Sequence, residues 1–322
     1  MLARSAEALF AHLIDYAGLF PPAALPMADA VRNYGTYRHG EYAWMLGRFV
    51  LSAGQIDEAM TAALPAPQQL STIHEYPESE VHAAPHPPFG HLLPQGEGSH
   101  DSIPLPPGEG GAKRRVRGRD LWGSSLAMTD LSVLAAPNAF PEGADVVETK
   151  AATAEAIAAI EAGDRTVYVE VSDLDLIDAL AAAGLRAKIR TGGVTTEAFP
   201  AATHVAAFIR RCAARGVAFK ATAGLHHPIR CLRPLTYAAN APRGTMHGFI
   251  NVFLAAALPA HAESILTEDD PHAFTFDDDA AAWRGHAVHT EDLLDLRREF
   301  AISFGSCSFE EPIADLKELG WL

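Results

Sequence analysis

The chain is short of cysteine, of basic charge and of long apolar runs, and each of these shortages removes a class of protein. Its three cysteines, Cys212, Cys231 and Cys307, are widely spaced and form no CxxC pair. Neither a disulfide scaffold nor a zinc ribbon is expected from them, and the polar opening Met1-Leu-Ala-Arg-Ser-Ala-Glu7 does not read as an export signal, so a reducing, cytoplasmic setting is the expectation. Lys and Arg number 25 against 40 Asp and Glu, a formal net charge of −15. So acidic a chain is not expected to take nucleic acid or an anionic membrane as its main partner, although a local positive pocket for a small anion is compatible with it. No apolar stretch reaches the roughly 18 residues needed to cross a bilayer. The nucleotide-binding fingerprint GxGxxG is missing after the first confident strand, which weakens an open doubly wound sheet.

What is present is a globular chain of 322 residues, 48% hydrophobic, long enough for one large α/β barrel or two ordinary domains. Residues 5 to 14 read as an amphipathic helix, broken by Asp15-Tyr-Ala-Gly-Leu-Phe-Pro-Pro22. Met27 to Tyr37 reads as a second helix, Trp44 to Ser52 as the first confident strand and Ile56 to Leu64 as a helix. Leu70 to Ile73 opens a further strand. Leu121 to Met128, Asp145 to Lys150, Arg165 to Val171, Arg186 to Arg190 and Val217 to Thr222 continue as strands, with helices over 153–162, 174–183 and 197–215 between the later ones. Gly184 fits a helix C-cap. Sustained β–α alternation favours a parallel sheet. The expected fold is therefore α/β, a TIM (β/α)8-type barrel forming a single domain over 1–322, irregular in its C-terminal third. There Met246 to Leu258 and Thr290 to Ile302 read as helices, and Glu310-Glu-Pro-Ile313 opens a last one.

The segment 77–119 breaks this pattern. Leu93-Pro-Gln-Gly-Glu-Gly98 and Leu105-Pro-Pro-Gly-Glu-Gly110 nearly repeat one another, and no hydrophobic period runs through them. Pro/Gly-rich sequence of this kind cannot bury enough apolar surface to offset its ordering entropy, so a disordered insertion is expected here. It resembles a translated repetitive intergenic element.

The remainder is organised around Ala187 to Arg230. Two strand-like segments, Lys188-Ile-Arg-Thr-Gly-Gly193 and Lys220-Ala-Thr-Ala-Gly-Leu-His-His-Pro228, each carry a lysine, then a threonine, then a glycine-containing turn. Chemistry in βαβ units gathers at the carboxyl ends of the strands, where both segments finish. A lysine on a barrel strand is costly to bury unless it is paired or used. A desolvated lysine beside another cation becomes a nucleophile near neutral pH. Lys188 and Lys220 occupy corresponding positions of adjacent units, and Arg190 shares a strand face with Lys188. One reading is a Schiff-base lysine with cationic neighbours; the other is two lysines paired with barrel carboxylates such as Glu170 or Glu148.

The same two motifs resemble the lysine strands of deoxyribose-phosphate-aldolase-type class I aldolases. In that family a lysine before a Ser/Thr-Thr-Gly turn forms the Schiff base, and a lysine on the next strand, before a Gly-Gly-Ile-Arg turn, tunes it. The resemblance implies that Lys188 forms the Schiff base and Lys220 modulates it, with Glu170 nearest to the family's proton-shuttling aspartate. Two departures stand out: Arg190 lies inside the first motif, and Leu225-His226-His227 replaces the second glycine and the Ile-Arg pair after it.

Further candidates cluster around these strands. The turns Thr191-Gly192-Gly193 and Thr222-Ala-Gly224 offer backbone N–H groups to a phosphate or carboxylate. His226 and His227, with His247 and Asn251, form a polar set suited to acid–base work; neighbouring histidines on an extended chain point to opposite sides, so one of the pair is expected to face the pocket. No HExxH or HxH spacing supports a metal, and no cofactor is expected. Arg48 reads as a substrate-anion ligand or a buried ion-pair partner. Asp15 and Tyr16 read as part of a lid, or as a plug on the opposite face. Cys307 lacks a visible partner. The leading expectation is a lyase of the aldolase type acting on a small anionic carbonyl compound, with further copies of the chain as an optional partner. The alternatives are a phosphate-binding transferase or isomerase barrel using its lysines as anion ligands, and a metabolite-binding protein without catalysis.

Overall fold

A computed structural model describes residues 2–64 and 126–322. The segment 77–119 and the strand read at Leu70 lie outside the described residues. Of the strand read at Leu121 to Met128, residues 126–128 are described, and they run into a single 3-10 turn, Met128–Asp130.

The chain opens with α1 (Arg4–Phe10), β1 (Ile14–Tyr16), α2 (Met27–Arg38), β2 (Leu46–Ser52) and α3 (Ile56–Ala62). It resumes with β3 (Leu131–Leu134), β4 (Val146–Lys150), α4 (Ala154–Ala158), β5 (Thr166–Glu170), α5 (Leu176–Ala183), β6 (Arg186–Arg190), α6 (Ala202–Arg215) and β7 (Phe219–Thr222). After these come β8 (Cys231–Pro234), β9 (Arg243–Met246), α7 (Phe249–Ala257), α8 (Ala262–Thr267), β10 (Phe274–Phe276), β11 (Ala280–Trp283), β12 (His286–His289), α9 (Thr290–Glu299), β13 (Ala301–Ser306) and α10 (Glu310–Glu318).

Eight strands close into a parallel barrel in the order β1, β2, β3, β4, β5, β6, β7, β13, with β13 pairing back onto β1. This is the (β/α)8 barrel expected. The C-terminal third departs from strict alternation: β8 and β9 form an antiparallel ribbon, and β10 to β12 a three-stranded antiparallel sheet. Among the described residues no helix is long and apolar enough to cross a membrane.

The helix layer follows its sequence pattern. On α6, Val205, Ala206, Phe208, Ile209 and Cys212 are buried along one stripe, and Gly216 ends the helix in the left-handed conformation. In β5, Val167 and Val169 alternate with Tyr168 and Glu170, so one face packs in the core while the other turns to the barrel axis.

Two elements fall where the sequence suggested otherwise. Ile14-Asp-Tyr16 is neither lid nor plug but the first barrel strand, and the helix read to Ile302 stops at Glu299 so that Ala301–Ser306 becomes the last one. The remaining strand positions come from these two short segments and from β3, Leu131–Leu134, which lies just beyond the strand read at Leu121 to Met128.

Candidate active site

Most small barrels fill their interior with branched apolar side chains. Here Asp15, Ser132, Glu148, Lys188, Lys220 and Ser303 are all buried and all on barrel strands. The pairing brings them to one level: Glu170 lies opposite Lys188, and Lys188 opposite Lys220, across β5, β6 and β7. Period-2 alternation then aims these side chains to the same side of the wall.

They form a chain of alternating charge. Lys220 Nζ lies 2.7 Å from Asp15 Oδ2 and 2.6 Å from Glu148 Oε1. Glu148 Oε2 lies 2.8 Å from Lys188 Nζ, which is 3.2 Å from Glu170 Oε2. Glu170 Oε1 ends the chain 2.8 Å from Lys150 Nζ at the carboxyl-terminal rim. Hydroxyls complete it: Ser303 donates to Asp15 Oδ2 and Ser132 to Glu148 Oε1, each at 2.7 Å, while the backbone N–H of Arg48 donates to Asp15 Oδ1, also at 2.7 Å. Three carboxylates and three ammoniums cancel formally, the condition under which charges survive in a dry interior.

The ionisation of the group follows from these contacts. Burial opposes the charge on Glu148, but the ammoniums of Lys220 and Lys188 outweigh it and hold the carboxyl well below the usual carboxylate range. Glu170 is likewise lowered: burial opposes, and Lys188 and Lys150 prevail. For Lys220, burial works against the ammonium, yet Asp15 and Glu148 raise it above an ordinary lysine. Lys220 is thus a fixed cation.

A cavity of about 330 Å³ opens over this chain at the carboxyl-terminal end, lined by Glu148, Thr149, Lys150, Lys188 and the loop Ala135 to Pro137. Thr149 is buried there, and its hydroxyl oxygen has no hydrogen-bond partner among the described residues. Ser132, Ser303 and Thr149 are site components that the sequence does not single out, Asp15 is one that it assigns to a lid or plug, and Glu148 is the lysine partner that it names. Glu148 had a signal, since it sits on the predicted strand Asp145 to Lys150; the serines and Thr149 had none.

The other expected residues lie elsewhere. Arg190 is exposed at the end of β6, and the neighbours of Lys188 are the carboxylates Glu148 and Glu170, as the paired-lysine reading has it, and not the cations of the other reading. Thr191 donates to the carbonyls of Ala223 and Thr222 at 2.7 and 3.2 Å, tying the ends of β6 and β7 together. Gly192, Gly193 and Gly224 are packing glycines. A Cβ on Gly224 would stand 2.8 Å from Gly192 Cα, and one on Gly192 would meet the Phe199 ring at 2.4 Å. Thr222 reaches the other neighbour, with its Oγ1 3.3 Å from the Cβ position of Gly305.

His226 and His227 do not face opposite ways. The chain bends after β7, and both meet α10, His226 Nδ1 at 2.8 Å from Glu311 and His227 Nδ1 at 2.6 Å from Asp315. His226 Nε2 also lies 3.9 Å from Cys307 Sγ, so Cys307 does have a partner. His247 bonds the carbonyl of Pro200 at 2.8 Å, and burial lowers its pKa. Asn251 is fully buried, accepting from Arg230 N–H and donating to the carbonyls of Ile265 and Glu268, a structural clamp. Arg48 reaches the opposite end of the barrel, donating to the carbonyls of Thr129 and Leu131. Among the described residues no three His, Cys, Asp or Glu side chains are grouped to hold a metal.

Comparison with known proteins returns nothing to set beside this geometry: no family model, no curated protein and no solved structure matches the chain. The fold is a TIM barrel with a buried, charged cluster opening at the carboxyl ends of its strands, consistent with an active site. No match ties it to the aldolase family.

Proposed function

We propose that the barrel is a Schiff-base lyase in which Lys188 attacks the carbonyl of a small carboxylated or phosphorylated compound and a carbon–carbon bond is then cleaved. The observation that carries this reading is the placement of Lys188: on a barrel strand, lining the carboxyl-terminal cavity, with its Nζ between Glu148 and Glu170. The Lys188 ammonium passes a proton to Glu170, the freed amine adds to the carbonyl, and that proton returns as the carbonyl oxygen leaves as water, so that an iminium carries its positive charge where the ammonium was. Two carboxylates that stabilise the one stabilise the other, and this is preorganised electrostatics of the kind that lowers such barriers. Glu170, at the rim and shared with Lys150, is placed to exchange the proton of a substrate hydroxyl as the bond breaks. Lys220, locked by Asp15 and Glu148, keeps Glu148 ionised and is not itself the nucleophile. Lys150 at the rim supplies charge for the substrate's anionic group.

The reading in which both lysines are anion ligands draws less support, because each already answers two carboxylates. Sodium borohydride added with a panel of small aldehydes and keto acids tests the proposal. A reduced adduct on Lys188, located by peptide mass spectrometry and absent in Lys188→Met, is expected. Absence of any adduct across the panel, with turnover surviving in Lys188→Met, would overturn it.

A further inference from the structure

The larger cavity of the barrel is at the other end. About 490 Å³ lies open among the first residues of the strands, where Val146, Thr166 and Arg186 begin β4, β5 and β6, and its floor is the inner end of the charged chain, Asp15, Lys220 and Ser303. The amino-terminal end of a TIM barrel ordinarily serves stability, and closing it with apolar side chains would be the inexpensive solution. Instead the walls carry guanidiniums, in a protein whose net charge is −15.

The charges there do not cancel. Arg38 is answered by Asp130 at 2.7 Å, and Lys220 by Asp15 and Glu148. Among the described residues Arg48 and Arg186 make no ion pair. Arg48 bonds two backbone carbonyls, and Arg186 donates to Tyr168 Oη at 3.0 Å with its guanidinium 5.6 Å over the Tyr168 ring. A guanidinium has five donors in a fixed fork that suits carboxylate and phosphate oxygens, and these two leave most of theirs unused within the described residues.

Their placement narrows the ligand. Arg48 is on β2 and Arg186 on β6, four steps apart in a ring of eight strands, so they stand on opposite walls. A ligand with an acidic group at each end offers one to the fork on each wall. We infer that this amino-terminal cavity is a binding site, separate from the carboxyl-terminal one, for a small dianion with an acidic group at each end, one received by Arg48 and the other by Arg186. The volume falls within the range of small-molecule sites. The inference does not depend on the Schiff-base reading, and failure of trapping at Lys188 leaves it standing.

Isothermal titration of the full chain with α,ω-dicarboxylates from malonate to adipate, beside acetate and inorganic phosphate, tests it. One chain length is expected to bind saturably, with one site, about tenfold or more tighter than acetate or phosphate. Arg48→Met and Arg186→Met should each weaken that binding about ten- to a hundredfold, the scale of a lost charge-assisted hydrogen-bond pair. Arg186→Lys should lose less, and Lys188→Met should bind as the parent does. Equal binding of acetate and every dicarboxylate would overturn the inference, as would binding untouched by both arginine substitutions or abolished by Lys188→Met. Should either methionine variant fail to fold, judged by its urea midpoint, the length series on the parent protein decides the question.

Discussion

Glu148 holds Lys188: its Oε2 is 2.8 Å from the lysine Nζ, and both side chains are almost wholly removed from solvent. The same carboxylate bridges to Lys220 through its other oxygen, so it serves two ammoniums while Lys188 is also served by Glu170. The two partners are therefore not equivalent. Glu148→Gln leaves two buried ammoniums short of a counter-charge and should cost roughly 3–5 kcal/mol, the scale for breaking a buried pair. Lys188→Met removes a cation, leaves Glu148 with Lys220, and fills similar volume with an apolar chain, so it should cost clearly less. Urea denaturation of the two variants beside the parent measures the order, and equal losses would contradict it.

The parts of this arrangement visible in the sequence were those with a local signal. Strands β4 to β7 show apolar periods and are separated by amphipathic helices, so the barrel and the positions of Lys188, Lys220 and Glu170 could be read directly. Ile14-Asp-Tyr16 is three residues long, too short for any period, and its identity as a strand depends on pairing with β2 and β13. In Ala301–Ser306 the inward Ser303, with Gly305 and Ser306, dilutes the apolar alternation, and the charged helix before it masks the boundary. Which carboxylate meets which lysine depends on register across three strands, and a motif carries no register. That is why Arg190, two residues from Lys188, looked like its neighbour while Glu148, on a strand two places away in the barrel wall, is the real one.

Acid should unfold the protein through this cluster. Glu148 and Glu170 have folded pKa values below the unfolded carboxylate value of 4.5. For a depressed carboxylate the stabilisation is complete above the unfolded value and is lost as pH falls beneath it. The urea midpoint should therefore decline from about pH 4.5 downward. The decline should be shallower in Glu148→Gln, which starts less stable but has one fewer depressed carboxylate to protonate. Parallel slopes for the two proteins would count against this assignment.

The glycine turns make a separate prediction. Gly224 has φ of +76°, and an added methyl would stand 2.8 Å from both Gly192 Cα and the Phe199 ring. Gly224→Ala should cost roughly 2–4 kcal/mol, summing a left-handed backbone penalty and overpacking. Gly184 has φ of +67° with open space around its Cβ position, so Gly184→Ala should show only the backbone part, about 1–2 kcal/mol. Thermal or urea unfolding distinguishes the two; an equal loss would mean that the contact between the turns is slack.

His226 sets the alkaline limit. Burial works against its positive charge, but the hydrogen bonds to Cys307 and Glu311 and their charges push its pKa up to about 10 from an ordinary 6.5. A histidine raised in the folded state contributes stability that is complete below the unfolded value and is lost as pH rises through the folded one. Between about pH 6.5 and 10 the parent should therefore lose stability progressively, and His226→Gln, less stable at pH 6, should lose little. Other groups join in only at the upper part of this window. The buried thiol of Cys212 is pushed up to about 12 by burial, so its contribution begins to fall near an ordinary thiol pKa of about 8.5; Tyr16, also pushed up to about 12, follows near 10. The decisive comparison is thus the difference in urea midpoint between parent and His226→Gln from pH 6.5 to 8.5, which should shrink steadily as pH rises. Glu311→Gln should shrink it too, because the carboxylate on Nδ1 is one of the two partners that hold the imidazolium. A difference that stays constant over that range would show that His226 is uncharged throughout and that its contact with Glu311 is a neutral hydrogen bond.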